Sequence, residues 1–131
     1  MADRAPQILL IEGEPTLLQI TAFRLELLGY EVTALESAER ALDWLHDQLP
    51  SVIIVDHALP GIDGIEFINR LSNDTRTSDV PIMLLSTNGD LDDVQKAYNA
   101  GADEYLVIPY DPLVLESKVE RLASAVPETQ S

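Results

Sequence analysis

Three residues with reactive side chains each follow a short apolar run: Glu12 after QILLI, Asp56 after VIIV and Ser86 after IMLL. A fourth run, EYLV, is followed by Ile108, which carries no polar group. Two carboxylates that share a cleft raise the pKa of at least one of them, because each disfavours the charged form of the other. Carboxylates are also the side chains that hold Mg²⁺, together with water and phosphate oxygens. The pattern indicates an acidic site with a hydroxyl group and no cation beside it.

Several other chemistries lack the residues they need. The chain has no cysteine, which removes disulfides, thiolate ligands and cysteine nucleophiles. His57 follows Asp56, but there are only two histidines and no second ligand nearby, so it is interpreted as a loop residue. No Ser/His/Asp arrangement can be assigned to one crevice, and EGEP after the first run lacks the G-x-G-x-x-G spacing. Triad hydrolysis and dinucleotide binding are therefore not supported.

Five short apolar runs predict the strands that would position these residues. Continuous runs rich in β-branched residues are typical of strands buried on both faces of a parallel sheet. Between them, apolar residues recur at helical spacing and are preceded by capping residues. The predicted caps are Ser37, Asp63 (with Glu66 in a capping box), Asp90 and Asp111. The predicted strands are 7–11, 31–35, 51–56, 81–86 and 103–107, and the predicted inner stripes include Leu28, Leu91 and Val126.

Five strands that alternate with five helices predict one α/β domain with a doubly wound, parallel five-stranded sheet. We place the domain at residues 7–126, between an N-terminal tail (1–6) and a C-terminal tail or linker start (127–131). In sheets of this kind the active crevice lies at the carboxyl ends of the strands. Glu12, Asp56, Ser86 and Ile108 are therefore expected around a common pocket.

The net charge limits the kinds of partner that this chain can bind, and its apolar segments and N-terminus indicate a compartment. Twenty-three acidic residues against eight basic ones give a formal net charge of −15. A field of this sign repels phosphate backbones and anionic lipids, so we expect no direct binding to nucleic acid or membranes. The N-terminus lacks a secretory signal and no apolar run approaches ~20 residues, so a cytoplasmic location is predicted.

The segments around these positions resemble the receiver domains of response regulators in two-component (phosphorelay) signalling. The match runs from about residue 7 to residue 125, and its four motifs stand in the right order and at the right separations. The resemblance implies a CheY-like, flavodoxin-like fold with strand order 2-1-3-4-5. The segments are ILLIEGEP (8–15), VIIVDHALPGIDG (52–64), PIMLLST (81–87) and GADEYLVIPYDP (101–112).

The resemblance also implies a role for each matching position. Asp56 corresponds to the phosphoacceptor and Ser86 to the switch hydroxyl that binds the phosphoryl oxygen. Tyr105 corresponds to the aromatic residue that changes rotamer on activation, and Pro109 to a proline that is cis in the family. Magnesium is held in the family by acidic residues after the first strand, by the phosphoacceptor and by a backbone carbonyl. The corresponding positions here are Glu12, Asp56 and Ala58.

Two positions depart from the family pattern. Gly13 stands where the family has the direct magnesium ligand, and Ile108 stands where it has the lysine that neutralises the phosphoryl group. The only lysines, Lys96 and Lys118, fall on predicted helices away from the site. Phosphoryl transfer depends on positioning and electrostatic stabilisation, and one lost donor typically costs ~10²–10³ in rate. These departures predict weak or absent magnesium binding and phosphorylation.

Our interpretation is an atypical receiver that acts through protein partners, either a histidine kinase or a downstream effector. It would be no enzyme beyond phosphorylation and dephosphorylation of its own Asp56. The alternatives are a working phosphoacceptor modified at Asp56 by a histidine kinase and, with less support, a flavodoxin-like binder of a small ligand. A homodimer through the fourth helix, fifth strand and fifth helix is a further hypothesis, because mixed charges there allow reciprocal pairing. Those charged residues are Asp92, Asp93, Lys96, Glu104, Lys118 and Arg121.

Overall fold

The computed structural model describes residues 5–124, in which five strands alternate with five helices. Several predictions lie outside this part of the chain: the domain boundary at residue 126, the burial of Val126, the C-terminal tail and most of the N-terminal tail. The elements are β1 (Gln7–Ile11), α1 (Pro15–Leu27), β2 (Glu31–Leu35), α2 (Ala38–Trp44), β3 (Val52–Asp56), α3 (Gly64–Ser72), β4 (Ile82–Ser86), α4 (Leu91–Ala100), β5 (Glu104–Val107) and α5 (Pro112–Ala123).

The strands form one parallel sheet in the order β2-β1-β3-β4-β5, so the predicted fold class and strand order are confirmed. Successive side chains of a strand point to opposite faces, and helices cover both faces. Leu9 and Ile11 belong to the core layer under α2, α3 and α4, whereas Ile8 and Leu10 belong to the layer under α1 and α5. This two-sided burial explains why β1, β3 and β4 are continuous apolar runs, whereas the edge strands β2 and β5 are less buried.

Side-chain caps fix where most helices begin. Ser37 accepts a hydrogen bond from the Arg40 N–H, and Asp63 accepts one from the Glu66 N–H. Asp111 caps α5 through the Leu113 N–H. Each cap satisfies a backbone donor that the first turn of a helix leaves without a partner.

Three expectations about the helices were wrong. Asp90 occupies the N-cap position of α4, but its side chain makes no capping hydrogen bond. Leu91 and Leu28 are exposed, because they stand at helix ends beyond the turns that pack on the sheet. A cap that the prediction missed is Glu14, whose carboxylate accepts a hydrogen bond from the Leu17 N–H at 2.8 Å. Within residues 5–124 no helix has the length and apolar character needed to cross a lipid bilayer.

Candidate functional site

The carboxyl ends of neighbouring strands form an open crevice of about 210 Å³. Asp56 ends β3 and Ser86 ends β4, and the strand register sets Ser86 opposite Val107, so Ile108 comes next at the same edge. Asp56, Ser86 and Ile108 all line the crevice, as their positions after apolar runs predict. The full lining is Leu17, Asp56, His57, Ala58, Ser86, Thr87, Asn88, Asp93 and Ile108.

Glu12 is not among the residues that line the crevice, but its carboxyl group forms a hydrogen bond with that of Asp56, and both carboxyl groups are buried. Glu12 is 4% exposed and Asp56 is 9% exposed. An Oε2 atom of Glu12 accepts a hydrogen bond from the Glu14 N–H at 3.0 Å, and Oδ1 of Asp56 accepts one from the Ala58 N–H at 3.2 Å. Ala58 thus contacts the site through its amide, and the role of its carbonyl oxygen as a metal ligand stays a prediction.

The pKa of the Glu12 carboxyl is raised to about 7. Burial is the largest cause, since it disfavours the charged form, and a hydrogen bond with Asp56 together with the charge of Asp56 adds to it. The hydrogen bond from the Glu14 amide acts in the opposite direction. The upward shift expected for one of two facing carboxylates is therefore found on Glu12, with loss of water as the larger reason.

Gly13 contributes no side-chain oxygen to the site, although a side chain at this position would have room. A Cβ atom at this position would lie 3.4 Å from Cδ of Pro60 and 3.6 Å from Cδ2 of Leu59, which are ordinary contact distances. Within residues 5–124 no three His, Cys, Asp or Glu side chains are grouped so as to hold a metal ion. Glu12 and Asp56 are the two carboxylates that contact each other here, and Mg²⁺ in proteins is usually held by one or two carboxylates together with water and phosphate oxygens.

Ile108 brings an apolar side chain to the crevice wall and packs partly against the core layer under α1 and α5. None of the described residues that line the crevice is lysine or arginine. Lys118 is paired with Glu104 at 2.7 Å, and Lys96 lines a separate groove between α3 and α4. The prediction that both lysines lie away from the site is confirmed.

Comparisons with known proteins agree with this architecture. The family model described as the response regulator receiver domain matches residues 8–120. The chain belongs to this family. Receiver domains are signalling modules of two-component systems, which favours this reading over a flavodoxin-like binder of a small ligand.

Several receivers resemble this one in sequence and structure. The phosphate regulon transcriptional regulatory protein PhoB of Escherichia coli K12 is 31% identical over 116 residues, which are 88% of this chain and 51% of that protein. The receiver thus spans about half the length of the curated relatives it matches. The receiver domain of a signal transduction histidine kinase from Syntrophus aciditrophicus is 31% identical with a TM-score of 0.88, covering 97% of this chain and 96% of its own.

A third relative carries a metal. The receiver domain of a sensor histidine kinase from Pseudomonas aeruginosa has magnesium coordinated in its active-site cleft. It is 26% identical to this receiver, with a TM-score of 0.85, and the match covers 92% of this chain and 99% of that one.

Ser86 and Tyr105, the two residues that match the switch positions of the family, both form hydrogen bonds with Asn88 in the loop between β4 and α4. Ser86 is 3% exposed, and its Oγ accepts a hydrogen bond from the Asn88 N–H at 3.1 Å. Tyr105 is 8% exposed, and its hydroxyl donates to the Asn88 carbonyl oxygen at 2.5 Å. The peptide bond before Pro109 is cis, as the resemblance implied.

Three residues that line the crevice were not predicted from the sequence: Leu17, Asn88 and Asp93. Leu17 and Asp93 belong to the first turns of α1 and α4, which begin just after β1 and β4. These two residues could have been predicted from the short loops that connect each strand to the next helix, because such a helix must start beside the crevice.

The face of the receiver formed by α4, β5 and α5 carries its own charge pairs. Glu104 contacts Lys118 at 2.7 Å and Arg121 at 3.2 Å within the same chain. These charges were the basis for expecting reciprocal pairing across a homodimer. Because Glu104, Lys118 and Arg121 already pair with one another inside the domain, these three residues favour that dimer less than their sequence positions indicated.

Proposed function

We propose that this receiver transmits signals by binding protein partners and that its magnesium-dependent phosphorylation at Asp56 is weak or absent. The observation that carries the proposal is Ile108 in the crevice wall, at the position that matches the neutralising lysine of the family. A phosphoryl group on Asp56 would bring further negative charge next to Glu12 and Asp93, with no lysine or arginine among the described lining residues to offset it.

The size of the effect follows from general magnitudes of electrostatic catalysis. One well-placed charge-stabilising group is worth ~10²–10³ in rate, and this receiver lacks two, the acid at position 13 and the lysine at position 108. Glu12 already accepts a hydrogen bond from the Glu14 amide, and its raised pKa favours the protonated form. A protonated carboxyl group is a weak metal ligand, so Glu12 is a poor substitute for the lost carboxylate. A carboxylate also cannot replace a cation. Both losses act on the same phosphoryl group, which leaves a very slow reaction.

The partners we propose are a histidine kinase or a downstream effector, recognised as proteins. Direct contact with nucleic acid is not proposed for this domain, because its formal net charge is −15. Relatives such as PhoB are named as transcriptional regulators, and this receiver spans about half of their length. Transcriptional output is therefore assigned to those proteins and not to this domain.

Incubation of the full chain with acetyl phosphate and Mg²⁺, followed by intact-mass measurement, tests the proposal. We expect little or no addition of a phosphoryl group over a period in which a typical receiver, treated in parallel, is modified. Asp56→Asn serves as the control for site specificity. Stoichiometric addition in the wild type that is lost in Asp56→Asn would reject the proposal.

The second candidate is a working phosphoacceptor. The positions of Asp56 and Ser86 at the ends of adjacent strands support it, since both side chains line the same crevice. The same mass measurement separates the two candidates. A cognate histidine kinase in place of acetyl phosphate extends the test to a protein donor.

A further inference from the structure

The helix α1 carries apolar side chains on its outer face as well as on its inner face. Leu18 and Leu25 are buried in the core layer under α1 and α5. On the opposite side Ile20 is 45% exposed, Phe23 is 60% exposed and Leu27 is 70% exposed. A surface helix normally has polar residues on the side away from the core. Among the described residues no other helix exposes as many large apolar side chains, so the outer face of α1 is an unusual surface.

These exposed residues form one row along the helix. The row begins at Thr16, which is also exposed, and continues at intervals of four, three and four residues. Side chains at these intervals lie on one stripe of a helix, and the same intervals recur where two helices pack side by side. Single apolar residues on a surface are ordinary, whereas a contiguous apolar patch marks an interaction surface. We call this row the α1 seam, and its members are Thr16, Ile20, Phe23 and Leu27.

The spacing of the α1 seam is symmetric about a point between residues 21 and 22. Two copies of α1 that pack antiparallel across a two-fold axis would therefore set Ile20 of one copy against Phe23 of the other. Thr16 and Leu27 would face each other in the same way. A two-fold interface uses the same surface patch on both subunits, so the patch must be complementary to itself. The α1 seam has this property along its length.

The distribution of charge favours the same helix as the contact between copies. Each copy has a formal net charge of −15, so two copies repel each other when strongly charged faces meet. The charged residues of α1 are Arg24 and Glu26, and their charges cancel. A second copy can therefore approach this face at little electrostatic cost.

We propose that the α1 seam is the contact surface of a homodimer in which two copies of α1 pack antiparallel across a two-fold axis. The helix has 13 residues. A helix of this length is about 20 Å long and about 10 Å wide, so the contact is smaller than the ~800 Å² per partner of a standard stable interface. The dimer is accordingly weak, with a dissociation constant on the order of 10–100 μM.

Sedimentation equilibrium of the full chain, without phosphodonor, tests the dimer at protein concentrations that bracket this constant. Phe23→Gln should raise the dissociation constant at least about 10-fold, because the substitution removes an apolar contact in both copies at once. Leu91→Gln is the matched control, since it removes an equally exposed apolar side chain at the start of α4. This variant should associate like the wild type.

Salt separates an apolar contact from a dimer built on ion pairs. Higher salt should strengthen association through the α1 seam, because it screens the repulsion between two acidic copies. A dimer that uses the charged residues of α4, β5 and α5 should weaken under the same conditions. Weaker association of the wild type at high salt would overturn the proposal.

Disulfide formation tests the antiparallel orientation, since the chain has no cysteine of its own. Oxidation of an equal mixture of Thr16→Cys and Leu27→Cys should give mainly the mixed disulfide. In the antiparallel pair two copies of residue 16 lie about 16 Å apart along the axis, which is too far for a disulfide between them. Homodimers of Thr16→Cys in equal or larger amount would overturn this orientation.

Two further outcomes would reject the α1 seam as a contact between copies. One is a wild type that stays monomeric over the whole concentration range, which would leave this face to a different protein. The other is a loss of association in Leu91→Gln as large as that in Phe23→Gln. Phosphorylation of Asp56 is not measured in these experiments, so their failure and the failure of the proposed function are distinguishable.

Discussion

Ile108 and Asp56 line the same crevice, and the Ile108 N–H donates a hydrogen bond to the Ser86 carbonyl oxygen at 2.8 Å. The backbone at position 108 is thus attached to the strand end that carries the Ser86 hydroxyl. What distinguishes the site is the chemical nature of the side chain, which is apolar where the family has a cation.

Restoring the two missing groups should restore phosphorylation. Ile108→Lys adds a cation to the crevice wall, and Gly13→Asp adds a carboxylate where the backbone has room for a Cβ atom. We expect each substitution to raise the rate of phosphorylation by acetyl phosphate about 10²-fold, and the two together to raise it further. Intact mass as a function of time measures the rate.

The matched control for this repair is Val107→Lys, which adds the same charge at an exposed neighbouring position outside the crevice. It should leave the rate as it is in the wild type. If Ile108→Lys is no faster than Val107→Lys, the missing cation is not what limits the reaction.

Glu12→Gln should make stability less sensitive to pH. The Glu12 pKa rises from 4.5 to about 7 on folding, so the unfolded chain loses its proton first as pH increases. Stability of the wild type therefore falls between about pH 4.5 and 7 and then stays lower, whereas Gln is neutral throughout. We expect the variant to gain about 2 kcal/mol over the wild type at pH 8 and little at pH 4.5, at ~1.4 kcal/mol per pKa unit with some relaxation.

Urea unfolding from pH 4.5 to 8 in the presence of a chelator measures this difference. Glu26→Gln, an exposed substitution on α1, is the control and should follow the wild type. A constant offset between Glu12→Gln and the wild type across the whole range would contradict a folded-state pKa near 7.

Gly64 at the start of α3 and Gly13 after β1 should differ in how well they tolerate the same substitution. At Gly64 a Cβ atom would lie 2.5 Å from the Asp56 carbonyl oxygen and 2.9 Å from Cα of His57, so Gly64→Ala must displace the backbone beside the site. We expect a loss of about 2 kcal/mol in the free energy of unfolding. Gly13→Ala should change it by less than about 0.5 kcal/mol, because its nearest neighbour is at 3.4 Å. Urea unfolding measures both free energies. Similar values for the two variants would mean that these distances do not determine how well each position tolerates a side chain.

The ion pairs of Glu104 should contribute more to stability than that of Glu66. Glu104 and Lys118 are mostly buried, whereas about half of each side chain is exposed in the Glu66–Arg70 pair. We expect Glu104→Gln to cost about 1 kcal/mol and Glu66→Gln about 0.3 kcal/mol, since solvent screens exposed pairs. Thermal unfolding at low and high salt measures both. A larger loss in Glu66→Gln would contradict this ranking.

The fold could be predicted from the sequence because burial on both faces of the sheet produces the continuous apolar runs of β1, β3 and β4. The edge strands β2 and β5 are less buried, and β2 is accordingly the weakest of the five runs. Asp56 and Ser86 were found for the same reason, since each directly follows such a run. Asn88 and Asp93 were not found, because their place in the crevice depends on how α4 packs after a four-residue loop. Asp90 has the residue type of a cap, yet a neighbour two positions earlier takes its amide.

The two core layers lie on opposite faces of the central sheet and share its strands. Met83 and Leu84 are neighbours in the chain, but Met83 packs with α1 and α5 while Leu84 packs with α2, α3 and α4. A cavity made at one of them opens on the opposite side of the sheet from a cavity made at the other. Truncating Met83 or Leu84 should therefore loosen the packing on one face of the sheet or on the other, and the unchanged face can serve as a control within the same molecule.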